Sequence, residues 1–446
     1  MKFPASHAEV WRLAGPLILS NISIALLGLV DTAVVGHLHQ AYYLGAVAIG
    51  AVIFDFLYWG MGFLRMGTTG IVAQAHGKGY PDEMRSTLLH AVLIALVIAL
   101  TILLLKKPII DVGLHLIGGS AEVKLNARIY FMWAIWGSPA VLISITMFGW
   151  LLGMQNAKAT LYIAITINIV NIILDVLFVF GLNMDVRGVA LASVISEYSG
   201  MGMAAFLIVR ELKRYPGMWR RNLILDARRL WGMILLNQNI FIRTVCLIFV
   251  FAFFTRQGAR QGDLILAANA ILINFQTLMA LGLDGFANAA EALAGKAIGA
   301  NNRQAFVNVV KAATAWSVCI AIGFSLFYGL IGGAIIDLMT SIDAVRTMTY
   351  TFLPWMVLSP LISVWCFLLD GIFIGATRAR EMRDMMLIAT FLVFLPAWYF
   401  LQPLGNNGLW LAFMLFFAAR GLTLGFASVR IERTGGFVRA ISKQSL

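Results

Sequence analysis

Charge is what this chain has least of. Of its 446 residues only 12% are charged against 61% hydrophobic, and the mean hydropathy is +0.86. A soluble domain cannot clothe its surface with so few charges, and apolar runs long enough to cross a bilayer recur from end to end, so a soluble globular protein is excluded. Cysteine is nearly as scarce: Cys246, Cys319 and Cys366 each lie inside an apolar segment, which suggests neither a disulfide framework nor a metal cluster. There is no phosphate-cradling Gly-rich loop, no GxSxG in a strand–turn–helix setting and no room for a soluble nucleotide-binding domain. Energy for any transport must then come from an ion gradient or the membrane potential, and no organic cofactor is expected. Basic residues outnumber acidic ones, 33 to 21. They sit in loops beside helix ends, the positive-inside pattern of membrane proteins and not a nucleic-acid stripe, so no nucleic-acid partner is expected.

What is present is length in the right units. Hydropathy divides the chain into twelve spans, at 10–36, 43–76, 86–106, 123–153, 158–181, 187–210, 229–256, 263–297, 304–332, 345–375, 383–402 and 407–430. The expected fold is therefore all-α and polytopic. With both termini in the cytoplasm, the larger share of Lys and Arg falls on the inner side, including Lys78, Lys158, Arg303, Arg378 and Arg380. The N-terminus, MKFPASHAEVWRLAG, shows no small-residue cleavage site after its first apolar run, and the first helix is expected to be an uncleaved anchor.

The halves look related. Gly149 and Gly371, Gly153 and Gly375, and Gly77 and Gly299 are each 222 positions apart, close to half the chain, which argues for duplication of a six-helix unit. An even number of spans per copy keeps both copies in one orientation, related by an axis along the membrane normal with a cavity between them. The expected division is an N-terminal six-helix lobe at 1–210, a basic cytoplasmic linker at 211–228 and a C-terminal six-helix lobe at 229–446.

The functional signal lies in the acids placed inside the spans. Asp31 sits in the first, LAGPLILSNISIALLGLVDTAVVGH. A charge at that depth costs about 2.5–3.5 kcal/mol on insertion scales, so it faces a cavity or a partner and is a functional hypothesis by default. A desolvated carboxyl group can load and release a proton. Pro16 shares the helix and removes one of its backbone hydrogen bonds, which offers a bend. Asn168, Asn171 and Asp175 follow at i, i+3 and i+7 on the fifth span, hence on one face, where the amides can bond an aspartate or its water. Ser193 on the sixth span and Tyr130 on the fourth could close this site, although hydroxyls in membrane helices also serve as interhelical glue. In the second half Asp284 and Glu291 form one stripe on the eighth span and Asp370 stands on the tenth. Two readings are open for these three: a cation-attracting cavity wall, or pairing with Arg243 or Arg420 to bury charge. Arg65 is expected to neutralise Asp55 or Glu197.

LVDTAVVGH on the first helix, NIILDVLFVFGL followed by RGVALASVISEY on helices five and six, and LLDGIFIGATRAREM at the end of helix ten together resemble the multidrug and toxic compound extrusion (MATE) transporters, with the match closest to their DinF branch and covering essentially the whole chain. The resemblance implies a V-shaped pair of six-helix bundles that alternate between facing outside and inside. It implies export of small amphipathic, often cationic organic compounds in exchange for protons or sodium, with no catalytic residues. In related members the aspartate of helix one and the Asn and Asp of helix five form the cation site, which maps onto Asp31, Asn171 and Asp175. The helix-six hydroxyl falls on Ser193, and the helix-one proline, where bending has been proposed, falls on Pro16. The sodium-coupled NorM branch uses an acid on helix seven, whereas residues 229–258 here contain no Asp or Glu, which favours protons bound in the N-terminal half.

The expectation is therefore a proton-coupled multidrug antiporter of the bacterial inner membrane, acting as a monomer in the lipid bilayer. The alternatives are a sodium-coupled drug antiporter or a lipid-linked oligosaccharide flippase. A flippase should line its cavity with several cations for pyrophosphate, and acids outnumber arginines within these spans.

Overall fold

The computed structural model describes residues 5–36, 41–434 and 436–438, with side chains described over 6–23, 42–434 and 436–438. The described residues are helical nearly throughout, with no strand among them. By their internal contacts they separate into two compact units, Leu19–Ile234 and Leu235–Leu446 together with Met1–Ile18.

Helix α1 (Ala5–Gly36) contains Pro16, and the division between units falls two residues beyond it. The first unit continues with α2 (Ala41–Trp59), which passes through a tight turn at Gly60–Gly62 into α3 (Phe63–Lys78). Gly79, at φ +71°, ends α3, and Pro81 opens α4 (Pro81–Leu104) at a position where a missing N–H costs nothing. A break at Leu105 leads into α5 (Lys106–Ile117), and Ser120 caps α6 (Ala121–Ala134) by accepting from the Val123 amide. Next come α7 (Ser138–Gly153), α8 (Ala157–Asp175), capped by the Asn156 side chain, and α9 (Asp185–Arg214). Between α8 and α9 the backbone widens into a π-helical turn, Val176–Gly181. The core gathers Val72, Met84, Trp150, Leu151, Ile163 and Ala204. The buried Trp150 indole donates to the Met84 carbonyl at 2.9 Å, so the largest side chain of this core leaves no polar atom unpaired. A short α10 (Arg221–Ile224) lies in the basic linker, and α11 (Ala227–Arg260) leaves the unit after Ile234.

The second unit comprises the rest of α11 with α12 (Asp263–Gly299), α13 (Arg303–Met339), α14 (Asp343–Gly375), α15 (Ala379–Leu387), α16 (Leu395–Leu401) and α17 (Gly405–Arg433). A second π-helical turn, Ile388–Phe394, joins α15 to α16. Its core is aromatic, built on Phe254, Phe275, Tyr328, Phe394, Trp410, Phe413 and Phe416. Within it Asn269 and Asn406 exchange hydrogen bonds at 2.8 and 2.9 Å, and the Trp410 indole adds a third at 2.9 Å. The start of α1 belongs to this unit: Trp11 packs edge-on against Phe286 and Trp316, at 5.1 and 5.2 Å between ring centres.

Both units carry one packing device, repeated at one spacing. A Cβ on Gly149 of α7 would stand 2.5 Å from the Arg65 carbonyl oxygen of α3, and one on Gly153 would stand 2.9 Å from that of Thr69. On α14, Gly371 and Gly375 press in the same way on the carbonyl oxygens of Ala287 and Glu291 of α12. The partners, like the glycines, are 222 residues apart. So are the left-handed residues Gln155 (φ 61°) and Thr377 (φ 56°), and Gly79 (φ 71°) and Asn301 (φ 51°). The duplication expected from three glycines thus extends to their contacts and to the turns that follow.

Ten described segments are long and apolar enough to cross a membrane, and one of them, Ala379–Arg433, holds the last two expected spans. Together with α1 they account for the twelve. Large apolar side chains such as Leu104, Leu330, Leu338 and Phe400 are exposed, a surface suited to lipid and not to water.

Candidate functional site

In the unit Leu19–Ile234, α8 supplies the polar face that the spacing predicts. Asn171 and Asp175 are 1% and 0% exposed, far below the usual exposure of such groups. Asp175 is the last α-helical residue before the π turn Val176–Gly181. Such turns are rare, gather at functional sites and leave backbone groups out of the regular ladder. One turn in from Asn171, the Asn168 side-chain amide donates to both the carbonyl oxygen and the hydroxyl of Ser23, at 2.7 and 2.6 Å. That pair fastens α8 to α1. Asp31 is on α1, but its side chain lies outside the described residues, as do all those at 24–36.

Ser193 is half-buried on α9, and its hydroxyl donates to the Val189 carbonyl four residues back at 3.0 Å. That bond occupies the proton and leaves the lone pairs available. Tyr130 is buried on α6, edge-on to Phe54 and under α2 where Gly50 leaves it room. Near it the hydroxyls of Tyr58 and Ser138 share a 2.9 Å hydrogen bond. Asp55 is exposed on α2 and Glu197 half-buried on α9.

In the other unit the acids separate by surroundings. Asp370, on α14, is met by two guanidinium groups: Nη2 of Arg420 on α17 donates to its Oδ2 at 2.7 Å, and Nη2 of Arg243 on α11 donates to the same oxygen. The three residues are 7%, 3% and 6% exposed. Arg420 also lies over the rings of Phe416 and Phe417, 5.4 and 5.6 Å from their centres. Asp284 of α12 is half-buried and within electrostatic reach of Arg420. Glu291, two turns further along α12, is fully buried. Of the two readings the sequence left open for Asp370, the geometry is that of pairing, and it engages both candidate arginines at once.

Sequence reasoning named Arg243 and Arg420 only as alternative partners, since spacing along a chain cannot show that α11 and α17 approach one carboxylate. It missed both π turns, for which apolar runs carry no periodic signal. Among the described residues no group of three or more His, Cys, Asp or Glu side chains is placed to hold a metal ion.

Comparison with known proteins gives one consistent result. The MatE family model matches residues 16–177 and 240–399. The chain is 43% identical over 444 residues to the DNA damage-inducible protein F of Escherichia coli K12, covering 98% of this chain and 95% of that one. It is 24% identical over 347 residues to a probable multidrug resistance protein NorM of Thermotoga maritima, covering 76% and 73%. Among solved structures, an outward-facing multidrug resistance MATE transporter of the MOP superfamily superposes with a TM-score of 0.86 at 18% identity, over 96% of each chain. A MATE transporter in its bent conformation gives 0.87 at 17% identity, over 97% of this chain and 98% of that one.

Proposed function

Because this chain belongs to the MatE family of membrane transporters, we propose that it is a proton-coupled antiporter that exports small amphipathic, cationic organic compounds. Its relatives support the coarser statement directly: it is a multi-pass efflux transporter of the multidrug type and not an enzyme. The finer reading rests on one observation, the complete burial of Asp175 beside Asn171 at the head of a π turn, on a helix tied to the one that carries Asp31.

The tie sets a common depth. Spans one and five run in the same direction, because an even number of crossings separates their starts. From the Ser23–Asn168 contact, Asp31 is eight residues along α1 and Asp175 seven along α8, so both stand roughly 11–12 Å further on, at a rise of 1.5 Å per residue. With the site ionised, the carboxylates hold water and the Asn171 amide. A proton entering from outside removes that charge, weakens the grip on water and lets α1 bend at Pro16. The bend closes the N-terminal part of the substrate cavity and expels the compound outward. In this reading the protein works in the bacterial inner membrane with both termini in the cytoplasm. Protons are favoured over sodium because 229–258 contains no acid.

The test is dye efflux from proteoliposomes with a pH gradient and a sodium gradient imposed separately. Efflux driven by the pH gradient alone, and lost in Asp31→Asn with membrane insertion intact, is expected. Efflux that follows only sodium, or full activity of Asp31→Asn, defeats the reading.

A further inference from the structure

Arg243 and Arg420 each spend one donor of a two-donor edge on Asp370. In a planar guanidinium the Nε–H and one Nη2–H point the same way and form the fork that grips two oxygens in a bidentate pair. Here both Nη2 groups converge on the single Oδ2 atom. The Nε atoms of both arginines are buried and have no hydrogen-bond partner among the described residues. Two desolvated, charged N–H donors are thereby aimed alongside one carboxylate. An unmade hydrogen bond at a buried charged group costs more than one at a neutral group. The trio also carries one positive charge in excess.

Stability does not account for this arrangement. Replacing a buried ion pair by apolar residues of similar volume is often neutral or favourable, and the molecule contains its own comparison. The duplicated half packs α7 on α3 as the other packs α14 on α12, with the same glycine-to-carbonyl contacts, yet 222 residues before Asp370 stands Phe148. Between Arg12 and Asp31 the first helix carries no charged residue, and α9 carries no basic residue between Arg187 and Arg210. One copy of the bundle is built without the charge centre that the other maintains.

We propose that Arg243, Arg420 and Asp370 form an anion-binding centre inside the unit Leu235–Leu446, which receives a small, singly charged anion, a halide or a carboxylate group, on the two Nε–H donors beside Asp370. The acids set the valence. Asp370 takes half of each fork and Asp284 offsets further charge on Arg420 from α12, so the two Nε–H donors tolerate a weakly charged monovalent acceptor, while a divalent one is repelled by two carboxylates. The rings of Phe416 and Phe417 cover Arg420 and restrict the approach to small or flat groups. The centre lies outside the α8 site, and its occupancy requires neither proton coupling nor a cationic cargo.

Two measurements on the full-length protein test this. Crystals soaked in sodium bromide should show an anomalous bromide peak within hydrogen-bond reach of both Nε atoms. In nanodiscs at constant ionic strength, Tm should rise saturably with chloride or acetate and not with the bulkier gluconate. Asp370→Asn removes the competing carboxylate and keeps both forks, so it should tighten the anion midpoint by about tenfold, while Arg420→Lys, which keeps the charge and loses the fork, should abolish the response. Saturation by chloride assigns the centre to an inorganic anion, and saturation by acetate alone assigns it to an organic carboxylate. Absence of bromide at the arginines together with no saturable response to acetate, or an equal response to all three salts in the natural protein and in Asp370→Asn, overturns the proposal.

Discussion

Asn168 holds Ser23 twice, by its backbone carbonyl at 2.7 Å and by its hydroxyl at 2.6 Å. Both bonds come from one side-chain amide, so a single substitution unfastens α8 from α1 below the level of Asp31 and Asp175. A buried hydrogen bond contributes about 1 kcal/mol net. Asn168→Ala should therefore cost about 1–2 kcal/mol in unfolding while lowering efflux by several fold, because the acids on the two helices lose their common register. Lost stability without a change in efflux would show that the tie serves packing alone.

The glycine contacts make a prediction that uses the duplication as its control. Gly149→Ala and Gly371→Ala each drive a methyl group into a backbone carbonyl, of Arg65 and Ala287 respectively, and backbone cannot swing aside as a side chain can. Each should destabilise by about 1–3 kcal/mol, the usual cost of overpacking. Gly15 and Gly323, with nothing within 4 Å of the added carbon, should gain stability on the same substitution through their helix propensity. Thermal unfolding of the four variants checks this, and equal Tm values across the set would deny the close approach.

These residues also show how far the sequence could be read. Three glycines at one spacing disclosed the duplication because small residues at a membrane helix interface are required by backbone approach, and backbone geometry is copied when a unit is copied. Asn168, Asn171 and Asp175 could be placed on one face because helical period is local. What period cannot carry is convergence across the fold. The tie from Asn168 to Ser23 spans 145 residues, and the two arginines reach Asp370 from 127 and 50 residues away. The π turn after Asp175 was equally hidden, since VLFVFG reads as apolar whether its bonds are α or π.

The basic linker is strapped to the start of α4. Asp82 accepts from the Met218 amide at 2.7 Å and pairs with Arg220 at 2.5 Å, while Glu83 pairs with Arg229 at 3.1 Å and the His90 ring bonds the Ile224 carbonyl at 2.8 Å. Exposed ion pairs are individually weak and screened by salt, so the strap depends on their number. Asp82→Ala, which removes two of these contacts, should speed tryptic cleavage at Arg220 and Arg221 several fold, and 0.5 M salt should narrow the difference from the natural protein. Unchanged cleavage would mean that the linker is held by its backbone and by His90.

Pro16 stands two residues before the boundary at which α1 passes from one compact unit to the other. Its ring nitrogen cannot donate to the carbonyl of Arg12, so the helix carries a missing bond just where a change of direction would be used. Pro16→Ala restores that bond and should raise stability, since proline inside a helix costs about 3 kcal/mol relative to alanine. If bending at this point accompanies proton uptake, the stiffer helix should slow dye efflux by tenfold or more while leaving equilibrium binding of the dye nearly unchanged. The two readouts separate the roles: a variant that is more stable and equally active would show that the proline is tolerated in α1 without being used.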